Sequence, residues 1–148
     1  MKIGFDLDGV VVPCQSVIWA LMNNNIEAQR LAVAEAHPNP LFNPKMFMNG
    51  EDVGFIITAR YVDLADITEQ WVKKYYPDLQ YINVDVKRWK TKKEWTDWYK
   101  IVAYAKAEAI NNLGLDIYFE DMPITVKQLR KLCPNTKIIL FGGRIEGV

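Results

Sequence analysis

The chain has 148 residues, half of them hydrophobic and 24% charged, with 18 basic against 18 acidic side chains and a net charge of zero. This composition excludes a disordered or fibrous chain and fits a single domain, 1–148, long enough to bury a core. It also excludes a global field that would recruit nucleic acid or an anionic membrane, so any such partner must be drawn by a local patch.

The first predicted element is an apolar strand over 2–5 that runs into Asp6-Leu7-Asp8-Gly9. Acids at i and i+2 of a strand lie on the same side. At about 4 Å and an effective dielectric near 20 they repel by roughly 4 kcal/mol. The pair is tolerated if a cation or proton sits between the acids, or if the strand ends and they diverge. Asp-Gly between apolar residues is also a hairpin signal. A calcium loop is excluded, because Val10, Val11 and Val17 stand where an oxygen ligand, a glycine and a bidentate acid would be needed.

No basic, apolar and small-residue succession marks a secretory leader at the start, and no apolar run approaches the roughly 20 residues of a membrane span, so a cytoplasmic protein without membrane partners is expected. Cys14 and Cys133 lack metal-ligand spacing and are expected as reduced thiols.

Residues 14–51 read as a small helical insertion over the sheet edge, with helices at 16–22 and 26–36 and a proline-rich loop from His37 to Pro44. Further strands are predicted over 53–58, 80–84, 116–120 and 137–141, separated by helical periods. Leu64, Ile67, Trp71 and Tyr75 share one helical face, as do Val102, Ala105, Ala109 and Leu113. Pro77 and Gly114 end these helices, and Pro123 starts the next. The alternation predicts an α/β fold: a three-layer Rossmann-like parallel sheet of about five strands flanked by helices. In such sheets ligands bind beyond the carboxyl ends of the strands. Those ends carry Asp6 and Asp8, Thr58-Ala59-Arg60, Glu120-Asp121 and Gly142-Gly143-Arg144.

With these motifs in this order, the chain resembles the haloacid dehalogenase-like (HAD) superfamily of phosphohydrolases, on a small-cap, nucleotidase-like branch. The resemblance implies a magnesium-dependent phosphomonoester hydrolase. Asp6 matches the nucleophile that forms an aspartyl phosphate, and Asp8 the general acid and base. Thr58 matches the hydroxyl donor to the phosphoryl group, with the backbone from Ala59 completing its cradle. Lys106 matches the charge-balancing lysine, with Lys100 as its rival. The implied magnesium ligands are the Asp6 side chain, the Asp8 carbonyl, and Glu120 and Asp121, with Asp121 favoured as the direct one. Arg60 is an extra cation that either touches substrate or pairs with an acid.

Between the third strand and Lys106, residues 85–98 hold five basic and three acidic groups interleaved with tryptophans. Trp89 and Lys90 there are candidate substrate contacts, since basic and aromatic groups together track phosphates and stack bases. Trp19, His37, Phe42, Met46 and Phe47 are candidates to meet a leaving group, with core or hinge packing as the alternative for each and a helix end for His37. The expected substrate is a phosphorylated small molecule, with a 5'- or 3'-nucleotide or a nucleic-acid end as the specific expectation. The alternative is a non-catalytic module that binds nucleic acid or a protein partner through 87–98.

Overall fold

A computed structural model describes residues 1–13, 25–86 and 92–141. Five parallel strands, β1 (Lys2–Asp6), β2 (Val53–Thr58), β3 (Gln80–Asn83), β4 (Ile117–Glu120) and β5 (Lys137–Leu140), form one sheet in the order β3-β2-β1-β4-β5. Among the described residues the helices are α1 (Ile26–Glu35), α2 (Ala65–Tyr75), α3 (Lys92–Leu113) and α4 (Pro123–Leu132). None is long and apolar enough to cross a membrane. The hairpin reading of Asp8-Gly9 is excluded, because among the described residues β1 pairs with parallel neighbours on both sides.

The interior strands are near-continuous apolar runs because both sheet faces are covered. Ile3, Phe5, Ile56 and Phe119 face one side and pack with Val33 of α1 and Trp71 and Val72 of α2. Phe55, Ile57, Tyr118 and Ile138 face the other and pack with Val102, Ala107 and Ile110 of α3 and Val126 and Leu129 of α4. The chain steps one way through β1, β2 and β3 with helices on the first face, then the other way to β4 and β5 with helices on the second. A constant hand of crossover requires that change of face. The reversal falls between β1 and β4, the topological switch point where open α/β sheets open a crevice.

Gly114, with φ +66°, closes α3, and Pro123 occupies the first turn of α4. The inward face of α3 differs from the expected one: Val102, Ala103, Lys106, Ala107 and Ile110 are buried, while Ala105, Ala109 and Leu113 are only half-buried. A periodicity count treats lysine as outward-facing and so rotates the stripe away from it.

The described part of the 14–51 segment does not lie over the sheet edge. Val33, Ala36 and Phe42 join the core over the central strands, and Trp71 Nε1 donates to the Ala36 carbonyl at 2.7 Å. Phe42 is in ring contact with Phe5, Phe47, Phe119 and Phe141, so it is a core residue rather than a leaving-group contact. Phe47 lies over Phe119 and, like His37 just beyond the end of α1 and Met46, is exposed. Trp19, Cys14 and the helix expected at 16–22 lie outside the described residues; Cys133 is a buried free thiol. Phe42→Ala is expected to lower the unfolding free energy by about 3–5 kcal/mol, read by urea denaturation.

Arg30 ties α1 to α2 through two bonds to Asp66, of 3.0 and 2.9 Å. That hydrogen bonding, with a further bond from the Ile67 amide, holds the Asp66 carboxyl at about 2. The tie is therefore present above the ordinary aspartate range and is lost as pH falls through about 2. Both partners are solvent-exposed, so the effect is small and screened by salt.

Candidate active site

Strand alternation sets the first two acids. Ile3 and Phe5 point to the α1/α2 face, so Gly4 and Asp6 point to the α3/α4 face. Gly4 is needed there because a Cβ would meet Leu115 Cδ1 at 2.5 Å and Tyr118 Cδ1 at 2.9 Å. β4 brings Tyr118 and Glu120 to the same face, and Asp121 follows as the strand ends. From α3, Lys106 reaches up to this rim. Its Nζ donates to Asp6 Oδ1 at 3.0 Å and to Glu120 Oε1 at 2.7 Å. Lys100, the rival, is exposed.

Asp6 Oδ1 also accepts from the Leu7 amide at 2.9 Å, which fixes its carboxylate. Glu120 is fully engaged: Oε2 accepts from the Asp121 and Met122 amides at 3.0 and 3.4 Å, and the Tyr118 hydroxyl lies 3.4 Å from Oε1. Asp121 lies over Gly9, whose φ is +91° and whose Cβ, were there one, would overlap the Asp121 carboxylate. Glycine thus lets Asp121 close onto the loop after β1.

Asp6, Glu120 and Asp121 offer one oxygen each within 4.8 Å of one another, all three buried. Burial and the Glu120 charge push Asp6 well above the ordinary carboxylate range, against the pull of Lys106. The same two causes lift Asp121 to about 8. At Glu120 burial opposes the charge, but Lys106 and the hydrogen bonds prevail and hold it at about 2. At Lys106 burial is likewise outweighed by Asp6 and Glu120, which keep the ammonium charged. When ionised, the three carboxylates around one ammonium would carry an excess of negative charge that a divalent cation would balance. An all-oxygen donor set and the pocket that Gly9 leaves for Asp121 suit a hard ion such as magnesium. Gly9→Ala is expected to cost about 1–2 kcal/mol of stability through its left-handed backbone. By displacing Asp121 it should also weaken magnesium binding, read by calorimetric titration.

Asp8 is not part of that group. β1 ends at Asp6, and Asp8 sits in the following turn, where the Val10, Val11 and Val12 amides converge on the Leu7 carbonyl. Its two oxygens accept from Arg60 Nε at 2.9 Å and Nη2 at 2.6 Å. Of the two ways in which neighbouring acids are tolerated, this chain therefore uses divergence, with a basic partner for each. Arg60, expected either to touch substrate or to pair with an acid, pairs with an acid and is 2% exposed at its side chain. Thr58 is buried at the end of β2. Its Oγ1 accepts from the Arg60 amide at 3.1 Å, which leaves the hydroxyl hydrogen to donate elsewhere. Ala59, buried between them, is at the same rim.

Sequence reasoning missed Thr68 and Asn83. Thr68 Oγ1 accepts from Arg60 Nη1 at 3.2 Å, and Asn83 Nδ2 donates to the Arg60 carbonyl at 3.0 Å. The signal for Thr68 was a hydroxyl on the apolar stripe of α2, between Leu64 and Trp71. Trp89, Lys90 and Gly142-Gly143-Arg144 lie outside the described residues.

No protein-family model matches the chain, and no curated protein matches it. Among solved structures, the HAD domain of the effector protein Lem4 from Legionella pneumophila is similar at 7% identity and a TM-score of 0.46, over 99% of this chain and 88% of that one. So distant a likeness carries no activity across.

Proposed function

We propose that this chain is a magnesium-dependent phosphomonoester hydrolase of HAD type that works through an aspartyl phosphate on Asp6. The observation that carries the reading is the Lys106 bridge between Asp6 and Glu120, with Asp121 beside them, at the switch point of the sheet. Binding through 87–98 alone would require neither this cluster nor Asp8.

Asp6 attacks phosphorus in line as the bond from phosphorus to the ester oxygen breaks, and Asp8 gives its proton to the departing oxygen. Asp8 then takes a proton from the water that attacks the phosphoaspartate, releasing phosphate and restoring both carboxyl groups. Lys106 keeps Asp6 in its attacking rotamer, and Thr58 donates its hydroxyl hydrogen to a phosphoryl oxygen. Bound magnesium, held by Asp6, Asp121 and the Asp8 carbonyl, would neutralise charge on the phosphoryl oxygens. Glu120 supports this set from behind, since its oxygens are already taken by Lys106 and backbone amides.

The substrate we favour is a phosphorylated small molecule, a nucleotide first among them, in a cytoplasmic setting. The test is phosphate release from nucleoside monophosphates, phosphorylated oligonucleotides and sugar phosphates, with magnesium or with chelator. Magnesium-dependent turnover of nucleotides supports both parts, and turnover confined to sugar phosphates removes the nucleotide part. Silence across the panel would favour the alternative of a non-catalytic module acting through 87–98.

A further inference from the structure

The Arg60 side chain is buried and is among the most completely held groups of the described residues. Its guanidinium forks onto both oxygens of Asp8 and gives a third bond to Thr68 Oγ1, a hydroxyl that is fully buried in α2. Its backbone is pinned at both ends: the amide donates to Thr58 Oγ1 and the carbonyl accepts from Asn83 Nδ2. Asn83 is fixed in turn by Tyr81, whose hydroxyl donates to Asn83 Oδ1 at 2.6 Å. Exposure divides the pair. The arginine side chain is 2% exposed, while Asp8 keeps 19%. Asp8 therefore faces the site and Arg60 stands behind it.

We infer that Arg60 is a positioning residue: together with Thr68 and Asn83 it clamps Asp8 in the one rotamer from which its carboxyl meets the leaving oxygen. A planar fork fixes both position and plane of a carboxylate, which the point charge of a lysine does not. Asp8 lies in a turn beyond the end of β1, so the strand does not orient its side chain and the clamp supplies that orientation. The substrate is gripped elsewhere, and Arg60 acts only through Asp8. This inference rests on the hydrolase reading above.

The clamp matters in proportion to how much the leaving oxygen needs a proton. The test compares p-nitrophenyl phosphate, whose leaving group departs without one, with a nucleoside 5'-monophosphate, whose alkoxide does not. Both are read as kcat/KM, which covers the steps up to departure of the leaving group. Arg60→Ala and Arg60→Lys are expected to lose about 100- to 1,000-fold on the nucleotide, the usual worth of a placed general acid. On p-nitrophenyl phosphate the expected loss is below about tenfold. Added guanidinium should restore part of the nucleotide activity of Arg60→Ala, and Thr68→Val, which removes one holding bond, should show the same selective loss in milder form. Thr68→Val decides the question if Arg60→Ala does not fold.

Equal losses on the two esters would overturn the inference and leave the hydrolase reading intact. So would a rise in KM with kcat preserved, which would make Arg60 a substrate contact. A wild type that turns over neither ester overturns the hydrolase reading itself, and the inference with it.

Discussion

Lys106→Met is expected to lower the unfolding free energy of the metal-free protein by about 3–5 kcal/mol, the usual consequence of removing one partner from a buried ionic group. Methionine keeps most of the length and fills the space beside Ala103 and Ala107, so a cavity contributes little. The loss comes from electrostatics. Asp6 and Glu120 are both buried and both accept from one ammonium, at 3.0 and 2.7 Å, and without it they face each other and Asp121 with no cation among them. Urea denaturation in chelator measures the change. Lys100→Met, on the exposed face of the same helix, should stay within about 0.5 kcal/mol. A loss below about 1 kcal/mol at Lys106 would mean that the bridge does not hold the site together.

Asp6→Asn is expected to reduce turnover by at least about a thousandfold, because an amide oxygen is a poor nucleophile and covalent catalysis is lost with it. Stability should move the other way. Burial and the Glu120 charge already make an ionised Asp6 costly in the metal-free cluster, so an uncharged amide removes that cost, and Lys106 keeps its shorter bond to Glu120. In chelator the variant should therefore be at least as stable as the wild type, a trade between stability and function that strained sites commonly show. Magnesium reverses the order. A ligand that binds only the folded state at a hundredfold excess over its Kd adds about 2.7 kcal/mol, and Asp6→Asn should forfeit most of that increment. Thermal melts of both proteins with and without magnesium, alongside kinetics, give the four values needed. A variant that melts below the wild type in chelator would contradict the charge argument.

Much of the fold was legible because β1, β2 and β4 are apolar runs ending in polar residues, which is how strands covered on both faces read. Pro123 and Gly114 marked helix ends for the same stereochemical reasons that operate in the structure. The burial of Lys106 was not legible from periodicity, since a lysine on the inward stripe resembles a break in it. Only the resemblance, which places a lysine on the helix ahead of the Glu120-Asp121 motif, singled it out. The pairing of Arg60 with Asp8 joins residues 52 positions apart and depends on where β1 stops, at Asp6, two residues before Asp8. Phe42 was left between core packing and a leaving-group contact, because a proline-rich loop gives no sign that it folds back onto the sheet centre.

An acyl phosphate is reduced by borohydride to the alcohol, so a phosphorylated Asp6 becomes homoserine. The protein, mixed with p-nitrophenyl phosphate, quenched and reduced, would be digested and the peptide carrying residue 6 weighed. Conversion at Asp6 that requires magnesium is the predicted result, and turnover with Asp6 unmodified, or with the change on another residue, would contradict it.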